Sequence, residues 1–303
     1  MIRYYISEQE LIKRISQEKR SWLTRAKKRT ALYRSGGYDP KATDFWGEIK
    51  RVYIDLQHGK CGYCETRLQD HVLASKVHEI EHFRPKGRIR AWPHSGAANA
   101  RKFLPSWPTG EASDKGYLFL VYHPLNYAIA CTRCNSTLKS DCFPILGKRM
   151  LRAEHPKRML RETPLLFYPI SCIDPDDPAD LISFNGPFAV ATYRTGLAYQ
   201  RAITNIHFFL LNHQDLILQR CMMLLTLWIA LSATPATEDG LEDQQMCIDI
   251  CCQPYGEFSA CANAFQALFL ENHDKAKRYI KLIRKLINHK LPRLKQSSAI
   301  ATR

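Results

Sequence analysis

Acidic residues are scarce in this chain. Its 303 residues include 29 Asp and Glu against 44 Lys and Arg, a formal net charge of +15. That deficit favours a polyanionic partner, with nucleic acid ahead of an anionic membrane surface. Long apolar runs are also missing. The longest, CMMLLTLWIALSA at 221–233, follows Gln219 and Arg220 and is shorter than the ~20 residues a membrane span requires. It reads as a core helix, and no membrane association is expected. The opening MIRYYISEQELIK turns polar before an apolar segment can form, so no export signal is expected. Without one, eleven cysteines in a chain this long do not read as a disulfide scaffold, and a reducing cytoplasm is the expected compartment. Internal repeats are absent. Apolar content of 45% excludes wholesale disorder.

Four of the cysteines stand in two C-x-x-C pairs, Cys61/Cys64 (CGYC) and Cys131/Cys134 (CTRC). Two such knuckles supply a tetrahedral thiolate set for one structural zinc. Between them lies HEIEHFRPK, with the acid–histidine pair Glu81-His82, and Asn135 follows the last cysteine directly. The other seven (Cys142, Cys172, Cys221, Cys247, Cys251, Cys252, Cys261) sit mostly in apolar surroundings, where free cysteine behaves as a small hydrophobe. Cys247 and Cys251, four apart, read as core rather than as a second metal cluster.

Helices are expected on both flanks. Ser7 and Glu10 form a capping box, and Leu11, Ile15, Trp22, Ala26 and Tyr33 recur at helical spacing up to Gly36-Gly37. Its basic outer face reads either as solvated surface or as a phosphate or partner surface. Phe45 to Leu56 predicts a second helix. Residues 87–116 read as a long loop, 117–122 (YLFLVY) as a buried strand, and 163–187 as a surface wrap. Helices are expected over 202–232, 243–252 and 257–290. The last is rich in Lys and Arg with no acid after Asp274, either a soluble face or a nucleic-acid or partner surface.

The pattern CGYC…EHFRPK…N-x-x-x-x-C-x-x-C-N-x-x-x-K resembles the HNH endonuclease motif in its zinc-knuckle form. FWGEIKRVYIDLQHGKCGYCE, FPI near 143 and ETPLLFYP near 162 are similar to the PtuB-like branch found in Septu and retron-linked anti-phage systems. The motif match covers 61–144, and the branch match reaches about residue 230. The resemblance implies an α+β, mostly helical protein. A ββα-metal nuclease domain with a four-cysteine structural zinc would span 59–150, between helical regions at 1–58 and 151–303. It further implies His82 as general base, Glu81 and Asn135 as ligands of a catalytic Mg²⁺ or Mn²⁺, and Asn126 as holder of the base-bearing loop. Lys139, four residues beyond Asn135, would be a phosphate contact. DNA would be the substrate and a PtuA-like ATPase subunit the partner in a hetero-oligomer. Many family members carry Asp where this chain has Glu81, which moves the carboxylate outward.

His78, Arg84, Lys86 and Arg88 are candidate nucleic-acid contacts, as are the cations and tryptophans of the 87–116 insertion: Arg90, Trp92, Arg101, Lys102 and Trp107. Two rival readings stay open. HEIEH matches the H-E-x-x-H zinc-protease helix, with His78 and His82 as ligands and Glu79 as base. That arrangement needs a continuous helix, which Pro85 and Gly87 oppose. The cysteines and the charge also suit a non-catalytic zinc-finger module for nucleic acid or protein.

Overall fold

The computed structural model describes residues 1–39, 41–68, 79–94, 96, 103–171 and 173–300. Roughly half of the chain is helical, with two small two-stranded sheets. It divides into two compact units, Met1–Leu181 with Thr192–Leu210, and Ile182–Ala191 with Leu211–Arg303. This division differs from the three regions expected, because the N-terminal helices and the cysteine module belong to one unit.

In that first unit, α1 (Glu8–Glu18) opens where the Ser7 hydroxyl accepts the Glu10 N–H, satisfying one of the four orphan donors of a helix start. The helix expected to run on to Gly36 stops at Lys19, whose backbone is extended. α2 (Trp22–Arg34) then begins, and the two helices pack on each other. The apolar period continues across the turn, so periodicity did not register the break. α3 (Lys50–Leu56) follows a 3-10 turn at Trp46–Ile49. An aromatic cluster joins these helices to the sheet. Phe45 stacks on Tyr122 at 4.2 Å, the Trp22 indole N–H donates to Phe45 O at 3.0 Å, and Trp22 packs on Tyr127.

β1 (Glu79–His82) pairs antiparallel with β2 (Tyr127–Ala130), Glu81 opposite Ala128 and His82 opposite Tyr127. A wide helical turn, Arg133–Lys139, follows β2 and closes with Ser140 N–H on Asn135 O five residues back. The expected strand at 117–122 is instead a 3-10 turn, Leu118–Leu120, of which Leu120 is buried. A short apolar run cannot distinguish the two by period alone. The difference matters, because a turn leaves the Leu120 and Val121 carbonyls available to side chains, whereas a central strand spends such groups on its neighbour.

The 163–187 segment is not a surface wrap. Leu165, Leu166, Phe167 and Ile170 are fully buried. The Asn205 side chain of α4 (Gly196–Phe208) accepts Phe167 N–H and donates to Leu165 O. The insertion also packs inward where it is described. Ile89 and Ser113 exchange both backbone hydrogen bonds, Trp92 is buried against Phe208, and Trp107 packs on Phe103 and Tyr199. These two tryptophans are therefore committed to packing rather than to nucleic acid. Arg101 and Lys102 lie outside the described residues.

The second unit pairs β3 (Ile182–Asn185) with β4 (Phe188–Ala191) and adds α5 (Gln214–Ser232), α6 (Glu238–Cys252), α7 (Ser259–Glu271) and α8 (His273–Ile300). The expected 202–232 and 257–290 helices are thus each split in two. By length and composition α5 could cross a membrane. It packs against α6, α7 and α8 and buries Leu216, Leu224 and Leu227. In α6, Cys251 is buried as expected but Cys247 is exposed. The inner face of α8 up to residue 289 is Ala276, Ile280, Ile283 and Ile287, and Lys275, Lys277, Arg278, Lys281, Arg284 and Lys285 are exposed on its outer face.

Candidate metal and catalytic centre

Gln57, the last residue before the first knuckle turn, joins the two C-x-x-C pairs. Its buried amide donates to Lys60 O and Ile129 O and accepts Ile129 N–H at 2.7 Å. Gly62 N–H also reaches Ile129 O. The first knuckle is thereby held against the strand that leads into the second. No motif pointed to Gln57, since its role depends on a strand 72 residues away.

The sulfurs of Cys61, Cys64, Cys131 and Cys134 lie within 4.8 Å of one another, with Cys64 and Cys131 3.8 Å apart. Tetrahedral zinc with Zn–S near 2.3 Å requires S–S spacings of about 3.8 Å, so the donor set fits one zinc ion. Burial drives the Cys61 thiol well above its usual range, while hydrogen bonds from Cys134, Cys61 and Cys64 drive Cys131 far below. A zinc ion held by Cys61, Cys64, Cys131 and Cys134 would resolve that competition by taking all four as thiolates.

Glu81, His82 and Asn135 border one cavity of about 650 Å³, together with Trp46, Lys50, Lys86, Arg88 and Asp141. Glu81 and His82 arrive from the end of β1, and Asn135 from the helical turn after β2. His82 Nε2 lies 3.1 Å from Val121 O. A carbonyl only accepts, so Nε2 carries the proton and Nδ1 holds the lone pair. Burial, followed by the nearby Lys86 charge, lowers the His82 pKa to about 3, so the ring is neutral at pH 7. Trp46 meets it edge-on at 4.8 Å.

Asn126 is fully buried and ties down the chain beyond β1. Its Oδ1 accepts Arg84 N–H, and its Nδ2 donates to Arg84 O and Leu120 O. Lys86 sits 3.8 Å over the Trp46 ring and 3.6 Å from Asp44, and exposed Arg88 pairs with Asp141 at 2.9 Å.

Two other expected contacts are placed differently. Arg84 is 4% exposed and pairs with the fully buried Glu162 at 2.9 Å, so it is spent on the interior. Lys139 is fully buried, ion-paired with Glu81 and bonded to His82 O at 3.0 Å, and cannot meet a phosphate from there. His78 lies outside the described residues. Glu79–His82 is a strand, not the continuous helix that the H-E-x-x-H reading requires.

A second group, Glu8, His123 and His155, also has donor atoms within 4.8 Å. Positions so far apart in sequence carried no signal. Each ring's Nδ1 accepts a backbone N–H, from Leu125 and Lys157, both at 3.1 Å. The neutral rings therefore carry their proton on Nε2, and that of His155 donates to Glu8 at 3.0 Å. Lys157 holds the other Glu8 oxygen at 3.1 Å. The ring lone pairs are spent on backbone, so this set does not fit a metal ion.

No family model and no solved structure matches the chain. It is similar to Septu protein PtuB of Bacillus mycoides (strain KBAB4), 32% identical over 136 residues. The match covers 45% of this chain and 38% of that protein, so it spans well under half of the relative's length. The partial match and the four-cysteine cluster together support a relationship to the Septu PtuB-like proteins.

Proposed function

We propose that this protein is an HNH-type endonuclease that hydrolyses DNA phosphodiester bonds, with a ββα-metal centre and a structural zinc. The single observation that carries the reading is the convergence of Glu81, His82 and Asn135 on one cavity, beside the four clustered cysteines. Strand, strand and helical turn follow one another there as a ββα order. The oxygen donors of Glu81 and Asn135 suit a hard cation such as Mg²⁺ or Mn²⁺, and the cavity leaves room for the water and phosphate ligands that such ions keep. The cation would supply charge stabilisation for the scissile phosphate and the departing 3′ oxygen.

The chain's own residues supply the proton chemistry. Water attacks phosphorus, and its proton passes to His82 Nδ1. The imidazolium that forms keeps its Nε2–H on Val121 O, and that acceptor also fixes the ring's tautomer and angle. Asn126 holds the following backbone so that the ring stays in place. Lys86 and Arg88 at the rim receive the flanking phosphates. The likeness to Septu protein PtuB supports a role as the nuclease subunit of an anti-phage system. Such a subunit would work in the cytoplasm with a PtuA-like ATPase.

Plasmid nicking in Mg²⁺ or Mn²⁺, assayed with the partner ATPase, tests the reading. His82→Ala should cut about 10²- to 10⁴-fold more slowly. A wild type no faster than His82→Ala refutes the nuclease and leaves a zinc-dependent binding module. Metal analysis should find one zinc per chain, lost together with the fold in Cys61→Ala or Cys134→Ala.

A further inference from the structure

Lys139 stands one helical turn beyond Asn135, where a substrate contact is the simplest expectation. Its surroundings assign it elsewhere. The side chain is fully buried, and it is not among the residues that border the cavity. Its ammonium pairs with Glu81 Oε1 and donates to the His82 carbonyl at 3.0 Å. Glu81 thus borders the cavity while its carboxylate meets the ammonium. One cation joins the last two residues of β1 to the helical turn that carries Asn135, so all three cavity residues are referenced to it.

We propose that Lys139 is a positioning residue for cation binding: it holds the Glu81 carboxylate from behind the cavity wall, in register with Asn135. This rests on the reading of Glu81 as a ligand of the catalytic cation. Glutamate reaches further than aspartate and has one more rotatable bond, so it has more freedom to lose on binding. A partner that immobilises it beforehand removes that cost, and outer-shell partners of metal ligands are typically worth 10–100-fold in metal affinity. The longer acid at this position is thereby provided with its own restraint.

The test is Mn²⁺ binding, followed by electron paramagnetic resonance or calorimetry, on wild type, Lys139→Met, Glu81→Gln and the double variant. Retention of one zinc per chain and a cooperative melt establish that each is folded. Lys139→Met should weaken Mn²⁺ binding roughly 10–100-fold, and in the Glu81→Gln background it should change binding less than about 2-fold, because it acts through that carboxylate. If Lys139→Met does not fold, Lys139→Gln keeps a donor without the charge and should show a smaller loss of the same kind. Wild-type Mn²⁺ affinity in a folded Lys139 variant, with Glu81→Gln weakened, overturns the inference alone. An equal loss in both backgrounds overturns it too, since the lysine would then act through the fold. Unchanged binding in Glu81→Gln removes the site reading and the inference together.

Discussion

Arg84 follows Phe83 out of the candidate active centre and, read in sequence, belongs to a basic run that could touch DNA. The structure commits it to a buried pair, and Arg84→Met separates the two roles. Glu162 is fully buried and takes three donors: Arg84 Nε at 2.9 Å, Tyr117 OH at 2.8 Å and Met150 N–H at 2.7 Å. The guanidinium also lies 5.3 Å from the Phe143 ring centroid, so methionine preserves much of the apolar packing while deleting the charge. The carboxylate would keep two neutral donors and lose its counter-ion. Breaking a buried pair in this way costs about 3–5 kcal/mol. In a unit of roughly 200 residues each kcal/mol moves the melting temperature about 2–4 °C, so a fall of roughly 6–20 °C is expected by calorimetry. Adding Glu162→Gln removes the stranded charge and keeps an acceptor for Tyr117 and Met150, and should recover at least half of the loss. DNA affinity, measured by anisotropy below the melting range at several salt concentrations, should keep its salt slope. A melting temperature within about 2 °C of wild type, with the slope reduced by about 1, would show that Arg84 binds phosphate and that the buried pair is not its role.

Two further outcomes follow from particular contacts. Burial, then the neighbouring His155, lowers the His123 pKa to about 4 from an ordinary value of 6.5. Between those values the unfolded chain binds the extra proton, so stability should fall as pH drops from about 6.5 to 4, by up to about 3 kcal/mol. His123→Asn should flatten that part of a melting-temperature profile, and parallel wild-type and variant curves would exclude the assignment. A Cβ on Gly116 would lie 1.9 Å from Gly87 O and 2.5 Å from Pro85 O, whereas one on Gly87 meets nothing within 4 Å. Gly116→Ala should therefore cost about 3 kcal/mol in chemical denaturation and disturb the Pro85–Gly87 wall of the cavity, while Gly87→Ala stays near wild type. Equal stabilities would contradict this packing.

Much of this was legible in the chain because it depends on neighbours. The Ser7 cap, the knuckle pairs, the Glu81-His82 adjacency and the Asn135 position after Cys134 are all short-range patterns. Where the structure departed, the deciding partner was distant in sequence. YLFLVY became a turn whose Val121 carbonyl serves His82, 39 residues away. Leu165 to Phe167 went inward because Asn205 satisfies their backbone. Phe103 and Trp107 of the insertion pack on His207 and Tyr199. None of these partners lies within a window over which periodicity or propensity operates.

By itself, then, the sequence determined the residue types and the local geometry of the centre: two thiol knuckles, an acid beside an imidazole, an amide one residue past a cysteine, and a basic excess. Tertiary structure alone decided which charged side chains face the cavity and which are consumed in holding it. Lys86 and Arg88 reach the rim, whereas Arg84 and Lys139 face inward to Glu162 and Glu81. The physical reason is that a buried carboxylate demands a counter-ion, and which cation answers depends on where the folded chain places that carboxylate.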